Sequence, residues 1–359
     1  MRLWPAMRWG CWAKCSFRIL IFLMFALLAL TLVATGIDEE VLSWSVSPLL
    51  VRRRNSELRT KAASFNSTSL LRKTPVFYHI ANANMCRPEA PFLVSFVVTA
   101  PSNVEARRTI RKTWASVGEV EGHRVLSLFA LGMAPSPEVQ AHIEEESNKH
   151  GDIVQGLFMD TYRNLTLKTI MIMRWAITFC PHARYILKVD DDVYVNLQGM
   201  VVHLQSLGEP SEDLYFGRIH WHVHPIRDPS QKYYVPKVLY PGPSFPSYCS
   251  GTAYVVSGDV AKKVYVASLE IPFFPMEDVF VGLCTQKLGI PPTHSGRMAG
   301  GTHYPVDACC YQTLFTSHQV KPSEMETVWE KVHNGQHCSW LQRRLGMLHC
   351  KLLRAFLSH

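Results

Sequence analysis

Tyr185-Ile-Leu-Lys-Val189 is a mostly apolar run of strand length, and Asp190-Asp191-Asp192 follows it without a break. In an open α/β sheet, ligands bind outside the carboxyl ends of parallel strands, so three carboxylates at such an end mark a candidate site. Neighbouring acids repel one another, and the cost is met by a cation or by hydrogen-bond donors. Carboxylate and diphosphate oxygens together suit Mn²⁺ or Mg²⁺. The bland alternative is an acidic surface turn.

The surrounding pattern supplies the sheet. Upstream, Phe92–Thr99 reads as a buried strand, Val104–Ala115 as a helix capped by Asn103, Arg124–Leu131 as a strand and Pro137–Lys149 as an acidic helix. Ile153–Phe158 then reads as a strand and Leu165–Phe179 as a helix, the alternation of an α/β sheet covered on both faces. Downstream, Pro, Gly, Tyr and His increase and elements shorten, as in loops that shape a substrate site. A second acid pair, Glu277-Asp278, opens an apolar helix. It could simply complement the helix dipole, or supply a general base.

Before this domain lies a membrane signal. Residues 19–34 carry no charge, with Arg2, Arg8, Lys14 and Arg18 before them and Asp38, Glu39 and Glu40 after. That pattern predicts a cytoplasmic tail at 1–18, a single transmembrane signal anchor at 19–36 and a lumen-facing remainder. A cleaved signal peptide ending near Val33-Ala34-Thr35-Gly36 is the competing reading. Residues 37–90, rich in Arg, Ser, Asn and Thr, read as a luminal stem, with a glycosylation acceptor at Asn66. All but one unit of the net charge of +8 lies outside the main domain: residues 91–359 hold 25 basic and 24 acidic side chains. A nucleic-acid partner is therefore not expected. Eight cysteines from Cys86 to Cys350 fall on the luminal side, where disulfides are the default, with no pairing readable. Cys11 and Cys15, beside the membrane, are either palmitoylated or unmodified.

Six ordered motifs carry a family resemblance: Ala106-Arg-Arg-Thr-Ile-Arg-Lys-Thr-Trp114, Tyr162-Arg-Asn-Leu-Thr-Leu-Lys-Thr169, Lys188-Val-Asp-Asp-Asp-Val-Tyr-Val195, Tyr248-Cys-Ser-Gly-Thr-Ala-Tyr254, Glu277-Asp-Val-Phe-Val-Gly282 and His318-Gln-Val-Lys-Pro-Ser-Glu-Met325. Over residues 91–338 the chain resembles glycosyltransferase family 31, the β-1,3-galactosyl and β-1,3-N-acetylglucosaminyl transferases. The resemblance implies a GT-A-like, Rossmann-like catalytic domain on a single-pass type II Golgi membrane protein. It also implies a UDP-sugar donor, a divalent metal, and a glycoprotein or glycolipid acceptor; an oligomer stays open. Carried over by residue, it makes Asp192 and His318 the metal ligands, with Asp190 and Asp191 assisting at metal, ribose or base. Asp278 becomes the base with Glu277 beside it, and Arg107, Arg111 and Lys168 candidates for contacting UDP. Each of those three cations could equally serve a structural ion pair. Asn164 is both a family-motif residue and a glycosylation acceptor.

Three features depart from the pattern. His220-Trp-His-Val-His224 has spacing that could hold zinc on a strand, but it falls in the variable loop region. Ala253 replaces the family's usual glycine and is expected to narrow the pocket floor. Residues 339–359 run beyond the usual end as an amphipathic segment with Leu341, Leu345, Leu348 and Leu352 on one face, set to pack on the domain, touch the membrane or bind a partner. The expectation is inverting transfer of galactose from UDP-galactose to a 3-hydroxyl. N-acetylglucosamine transfer is the alternative within the class, and an idle glycan-binding relative or a metal-dependent hydrolase lies outside it.

Overall fold

A computed structural model of the chain describes residues 18–29, 55–73, 77–208, 212–333, 338–339, 341–342 and 345–357. Strands β2 (Leu93–Val98), β3 (His123–Met133), β4 (Ile153–Met159) and β5 (Tyr185–Asp190) form the parallel centre of the main sheet. It is extended by antiparallel strand β8 (Tyr248–Ser257) beside β5, then β7 (Tyr215–His220) and β9 (Thr293–His294). At the other edge, β1 (Tyr78–Ile80) pairs antiparallel with β4, so the order is β1-β4-β3-β2-β5-β8-β7-β9.

Period-two alternation divides the strand side chains between two cores. Val94, Phe96, Val98, Leu128 and Ile186 point to one face, and Leu93, Val97, Phe129, Leu187 and Val189 to the other. Helix α4 (Leu165–Phe179) is apolar nearly all round and is buried accordingly against the first face. Helix α3 (Pro137–His150) starts where the sequence signals it, with Ser136 accepting from the Val139 N–H at 3.4 Å, Pro137 in the first turn, and left-handed Gly151 at its end. Helix α2 (Val104–Lys112) stops short of the expected Ala115, because Thr113 leaves helical geometry and Trp114–Ser116 continue as a 3₁₀ turn.

One expectation changes, and one choice among alternatives narrows. The segment read as a stem contains helix α1 (Ser56–Ser64), which packs against α6 (Gly258–Ser268) and buries Leu58 and Ala62 in the first core, with Leu70 close behind. Its polar composition hid a short apolar stripe at helical spacing. The disulfide Cys86–Cys180 ties the next segment to the end of α4. The tail, for its part, docks on the domain: Cys310–Cys350 fastens it to α8 (Ala308–Thr313), Cys309–Cys338 ties down the residue just before the tail, and α10 (Gly346–Leu357) buries Met347 and Cys350. Cys249 and Cys284 remain buried thiols.

Residues 18–29 are helical, with Ile19, Phe22, Phe25 and Leu28 exposed. Among the described residues no helix is long and apolar enough to cross a membrane. Residues 30–36 of the expected anchor, and residues 1–17, 30–54 and 358–359 of the outer segments, lie outside the described residues.

Candidate active site

The site is built where β2 and β5 end in register, Val98 opposite Asp190. Each of the three acids has its own holder. Asp190 takes a hydrogen bond from the Lys188 ammonium at 2.6 Å. Asp191 accepts from the Thr99 hydroxyl at 2.6 Å and the Asn103 carboxamide at 2.8 Å. The expected helix cap at Asn103 does not form; its carboxamide N–H is turned to Asp191 instead. Asp192 faces His318, with Oδ2 3.3 Å from Nε2.

His318 reaches Asp192 by a backbone zipper. Strand β6 (Tyr194–Val195) pairs antiparallel with β10 (Thr316–Ser317), and the Val320 N–H donates to the Asp192 carbonyl at 2.8 Å. Between them Gln319 is held at φ 60°, a left-handed conformation that costs energy in a residue other than glycine and turns the chain sharply beside His318. The hydrogen bond to Asp192 raises the His318 pKa against the opposing effect of burial. Nδ1 of the same ring is buried without a hydrogen-bond partner among the described residues.

The second acid pair opens helix α7 (Glu277–Leu288) and meets the first through Lys188. Burial alone would discharge Lys188, but Asp190 and Glu277 outweigh it and raise its pKa. Lys188 also donates to the Gly251 carbonyl on β8 and lies 3.7 Å from Glu277. Glu277 accepts from the Tyr254 hydroxyl at 2.6 Å and the Thr169 hydroxyl at 3.0 Å, which fixes one of its oxygens in the interior. Among the described residues Asp278 accepts only backbone N–H groups, from Gly251 at 3.2 Å and from Val279 at 2.8 Å. Burial raises the pKa of both acids, and raises Asp190 to about 6. A Cβ at Gly251 would fall 3.3 Å from an oxygen of each, so glycine lets β8 close tightly over the pair.

A pocket of about 480 Å³ joins these groups. Lys188, Asp190, Glu277, Asp278 and His318 line its floor, and Tyr162, Tyr233, His220, His224 and Phe245 line its outer side. Ala253 does not line it: that side chain packs in the core on the opposite sheet face. The histidine repeat forms no zinc site, since its alternation breaks down as the chain leaves β7. His220 stacks on Tyr248 at 5.2 Å and His224 contacts the Pro243 carbonyl at 2.8 Å.

The three candidate UDP cations are otherwise engaged. Arg107, fully buried, binds Glu146 through Nε at 2.9 Å and Nη2 at 2.7 Å, and donates to the carbonyls of Ala100 and Pro101. Arg111 grips Asp152 at 2.7 and 2.9 Å and Glu146 at 2.6 Å. Lys168 donates to Asp160 at 2.8 Å and to the Thr99 carbonyl at 2.8 Å. Arg107 and Lys168 thus brace the loop that presents Thr99 and Asn103 to Asp191. Their basic character resembled a phosphate site because both tasks need a cation near that loop.

Sequence reasoning gave no role to Lys188, Thr99, Thr169 and Tyr254, although three of them close or open the quoted family motifs. A lysine inside an apolar strand, two residues before the acids, was the available signal for the first. Nothing local marked Tyr233.

The galactosyltransferase family model matches residues 105–296, a span that contains both acid clusters. Human beta-1,3-galactosyltransferase 9 is 40% identical over 297 residues, 83% of this chain and 80% of its own length. The chain belongs to the galactosyltransferase family. Beta-1,3-galactosyltransferase 4 of Mus musculus is 38% identical over 95% of this chain and 98% of its own, and beta-1,3-galactosyltransferase 1 of the same species 36% identical over 81% and 87%. Membership makes the chain a glycosyltransferase, with a nucleotide-sugar donor and a glycan acceptor as its substrates. Among solved structures, a glycosyltransferase involved in the glycosylation of the major capsid of PBCV-1 covers 67% of the chain at 16% identity and a TM-score of 0.31, too loose a likeness to say anything of the site.

Among the described residues no group of three or more His, Cys, Asp and Glu could by itself hold a metal ion. A manganese or magnesium site here fits only as a shared one. Asp192 and His318 offer an oxygen and a nitrogen donor face to face, and diphosphate oxygens would supply the rest, which is how these ions commonly bind beside phosphates.

Proposed function

We propose that the chain is an inverting β-1,3-galactosyltransferase that moves galactose from UDP-galactose to the 3-hydroxyl of a terminal glycan sugar. The carrying observation is the unequal state of the two acids in α7. Both acids line the pocket, but Glu277 is bound by the side chains of Tyr254 and Thr169 and lies beside Lys188, whereas among the described residues Asp278 takes backbone donors alone. One available carboxylate is what inversion needs. Retention through a covalent intermediate would need a nucleophile in addition.

Asp278 accepts a hydrogen bond from the acceptor hydroxyl and holds its oxygen against C1 of the α-linked donor sugar, on the face away from UDP. As the new C1–O bond forms, the bond from C1 to the diphosphate breaks. The hydroxyl proton passes to Asp278, and its electron pair becomes the β-glycosidic bond. The raised pKa of Asp278 strengthens it as a base. Asp192 and His318 would hold a divalent ion, which would supply charge neutralisation at the departing diphosphate. Thr99 and Asn103 hold Asp191 in place, and Asp191 would serve the nucleotide.

Three disulfides and the exposed apolar helix at residues 18–29 support a membrane-anchored protein of the Golgi lumen, where thiols oxidise. The test uses the full chain in detergent with Mn²⁺, UDP-galactose or UDP-N-acetylglucosamine, and a panel of terminal monosaccharide glycosides. The expected product is a β-1,3-linked galactoside whose formation stops on chelation and resumes with Mn²⁺. His318→Ala should raise the Mn²⁺ requirement about tenfold or more. An α-linked product, or transfer indifferent to chelation, would sink the reading.

A further inference from the structure

The outer side of the pocket carries two tyrosine rings that the reaction as described does not use. Tyr162 comes from the turn between β4 and α4, and Tyr233 from the long connection between β7 and β8. Their ring centroids lie 6.3 Å apart, and both rings line the pocket that holds Asp278. Each keeps a large open surface, 51% for Tyr162 and 42% for Tyr233. The Lys232 ammonium sits 4.6 Å from one ring centroid and 5.1 Å from the other, which pins the pair by cation–π attraction.

The connection that carries Tyr233 is shaped rather than slack. Arg227 donates to the carbonyls of Val235 at 2.7 Å, Tyr240 at 2.8 Å and Gly242 at 2.9 Å, and the Phe245 N–H donates to Val223 at 2.8 Å. Burial and the neighbouring Tyr233 phenol raise the pKa of the Tyr162 hydroxyl, with Asp278 and Asp190 adding to the shift. The Tyr162 phenol therefore stays protonated, and it lies within electrostatic reach of the acids.

We infer that Tyr162 and Tyr233 form a two-ring platform that binds the acceptor sugar, a pyranose laid with its C–H face on the rings and its reacting hydroxyl toward Asp278. Aromatic surface with a few placed polar groups is the usual lining of a small-molecule site, and tyrosine offers an apolar body with a polar tip. The base's side of the pocket belongs to the acceptor because attack comes from the face opposite UDP. Lys232 is a positioning residue for the rings. The inference rests on the galactosyl-transfer reading for its geometry.

The experiment compares wild type, Tyr233→Ala, Tyr162→Ala and Tyr233→Phe in the full chain. Acceptor KM, donor KM and acceptor-free UDP release are measured, and methyl hexopyranoside binding is followed by saturation-transfer NMR. Each alanine variant should raise acceptor KM about tenfold, the loss of one good ring contact. Donor KM and UDP release should stay within about twofold, and Tyr233→Phe should keep most of the affinity, since the ring and not the hydroxyl makes the contact. An unchanged acceptor KM, or an equal rise in donor KM, overturns the platform. NMR needs no turnover: a wild type that binds glycosides but transfers nothing removes the catalytic reading and leaves the platform standing if Tyr233→Ala abolishes the signal. A wild type that binds no glycoside removes the platform.

Discussion

The floor of the pocket and its outer wall are made in opposite ways. Lys188, Asp190, Glu277 and Asp278 stand on a strand and a helix whose backbones are fixed by the sheet and core, and each of the four has a hydrogen-bond partner within the protein. The wall, from residue 221 to 247, has little regular structure, is gathered by one arginine and leaves Tyr233, Tyr234 and Val238 exposed. The floor must hold like charges close together, which only a rigid, hydrogen-bonded frame can do. The wall has to fit a partner, and open aromatic surface is suited to that. Reaction and selection are thus assigned to different parts of the chain, and each part can be perturbed without the other.

The sharpest way to break this division is Asp278→Asn. Transfer should fall about 10²–10⁴-fold, the range for losing a general base, while acceptor affinity, set by the wall, should change little. Stability should move the other way. The folded pKa of Asp278 is raised above its ordinary 3.8, so the folded state binds this proton more tightly than the unfolded state. Stability therefore falls as pH climbs from 3.8 through the raised folded pKa, and at neutral pH the ionised acid is a cost. Asn removes that cost, so the melting temperature should rise at pH 7 and the gain should vanish in acid. In the wild type, the acid limb of kcat/KM should lie above 3.8. A variant that is both inactive and less stable at pH 7 would mean that Asp278 holds the fold and is not a strained base.

The floor was far more legible in the sequence than the wall, for the same physical reason. Strand–helix alternation from Phe92 to Asp192 is written in hydrophobic period and caps, and the structure reproduces it to within a few residues. The acid clusters were visible because like charges in sequence demand compensation. What supplied that compensation was not visible: Thr99, Thr169, Tyr254 and Lys188 are brought to the acids only by tertiary folding. The same holds for His318, which family resemblance alone nominated and which the β6–β10 pairing carries to Asp192. Disulfide partners and the packing of α1 depend on distant chain in the same way. An irregular wall leaves no period to read.

A second, smaller effect tests whether the loop behind the floor is structural. Arg107→Met takes from Glu146 one of its two arginine partners and leaves Arg111 on it, so the loss should stay below the roughly 3–5 kcal/mol that an abandoned buried charge costs. Thermal unfolding of the full chain should register that loss, with the donor KM of the folded fraction nearly unchanged. A rise in donor KM with unaltered stability would return the cation to the nucleotide and shift the boundary between frame and site.

The smallest effect separates the two glycosylation acceptors by where each stands relative to the wall. Asn66 is exposed, and its side-chain oxygen accepts from the Thr68 N–H at 3.0 Å and the Thr68 hydroxyl at 2.6 Å. Its carboxamide nitrogen, the atom that carries a glycan, has no partner among the described residues. The equivalent nitrogen of Asn164 donates to the Met159 carbonyl at 2.8 Å, between Tyr162 and Leu165, which both line the pocket. A chain glycosylated there would have to give up that bond and crowd the platform, whereas a glycan on Asn66 disturbs nothing described. Mass analysis before and after glycan removal should therefore find Asn66 occupied and Asn164 bare, with Asn66→Gln lowering the mass and Asn164→Gln leaving it unaltered. Occupancy at Asn164 with full acceptor affinity would show that the wall extends less far toward β4 than its rings suggest, and would place the acceptor on the β7 side alone.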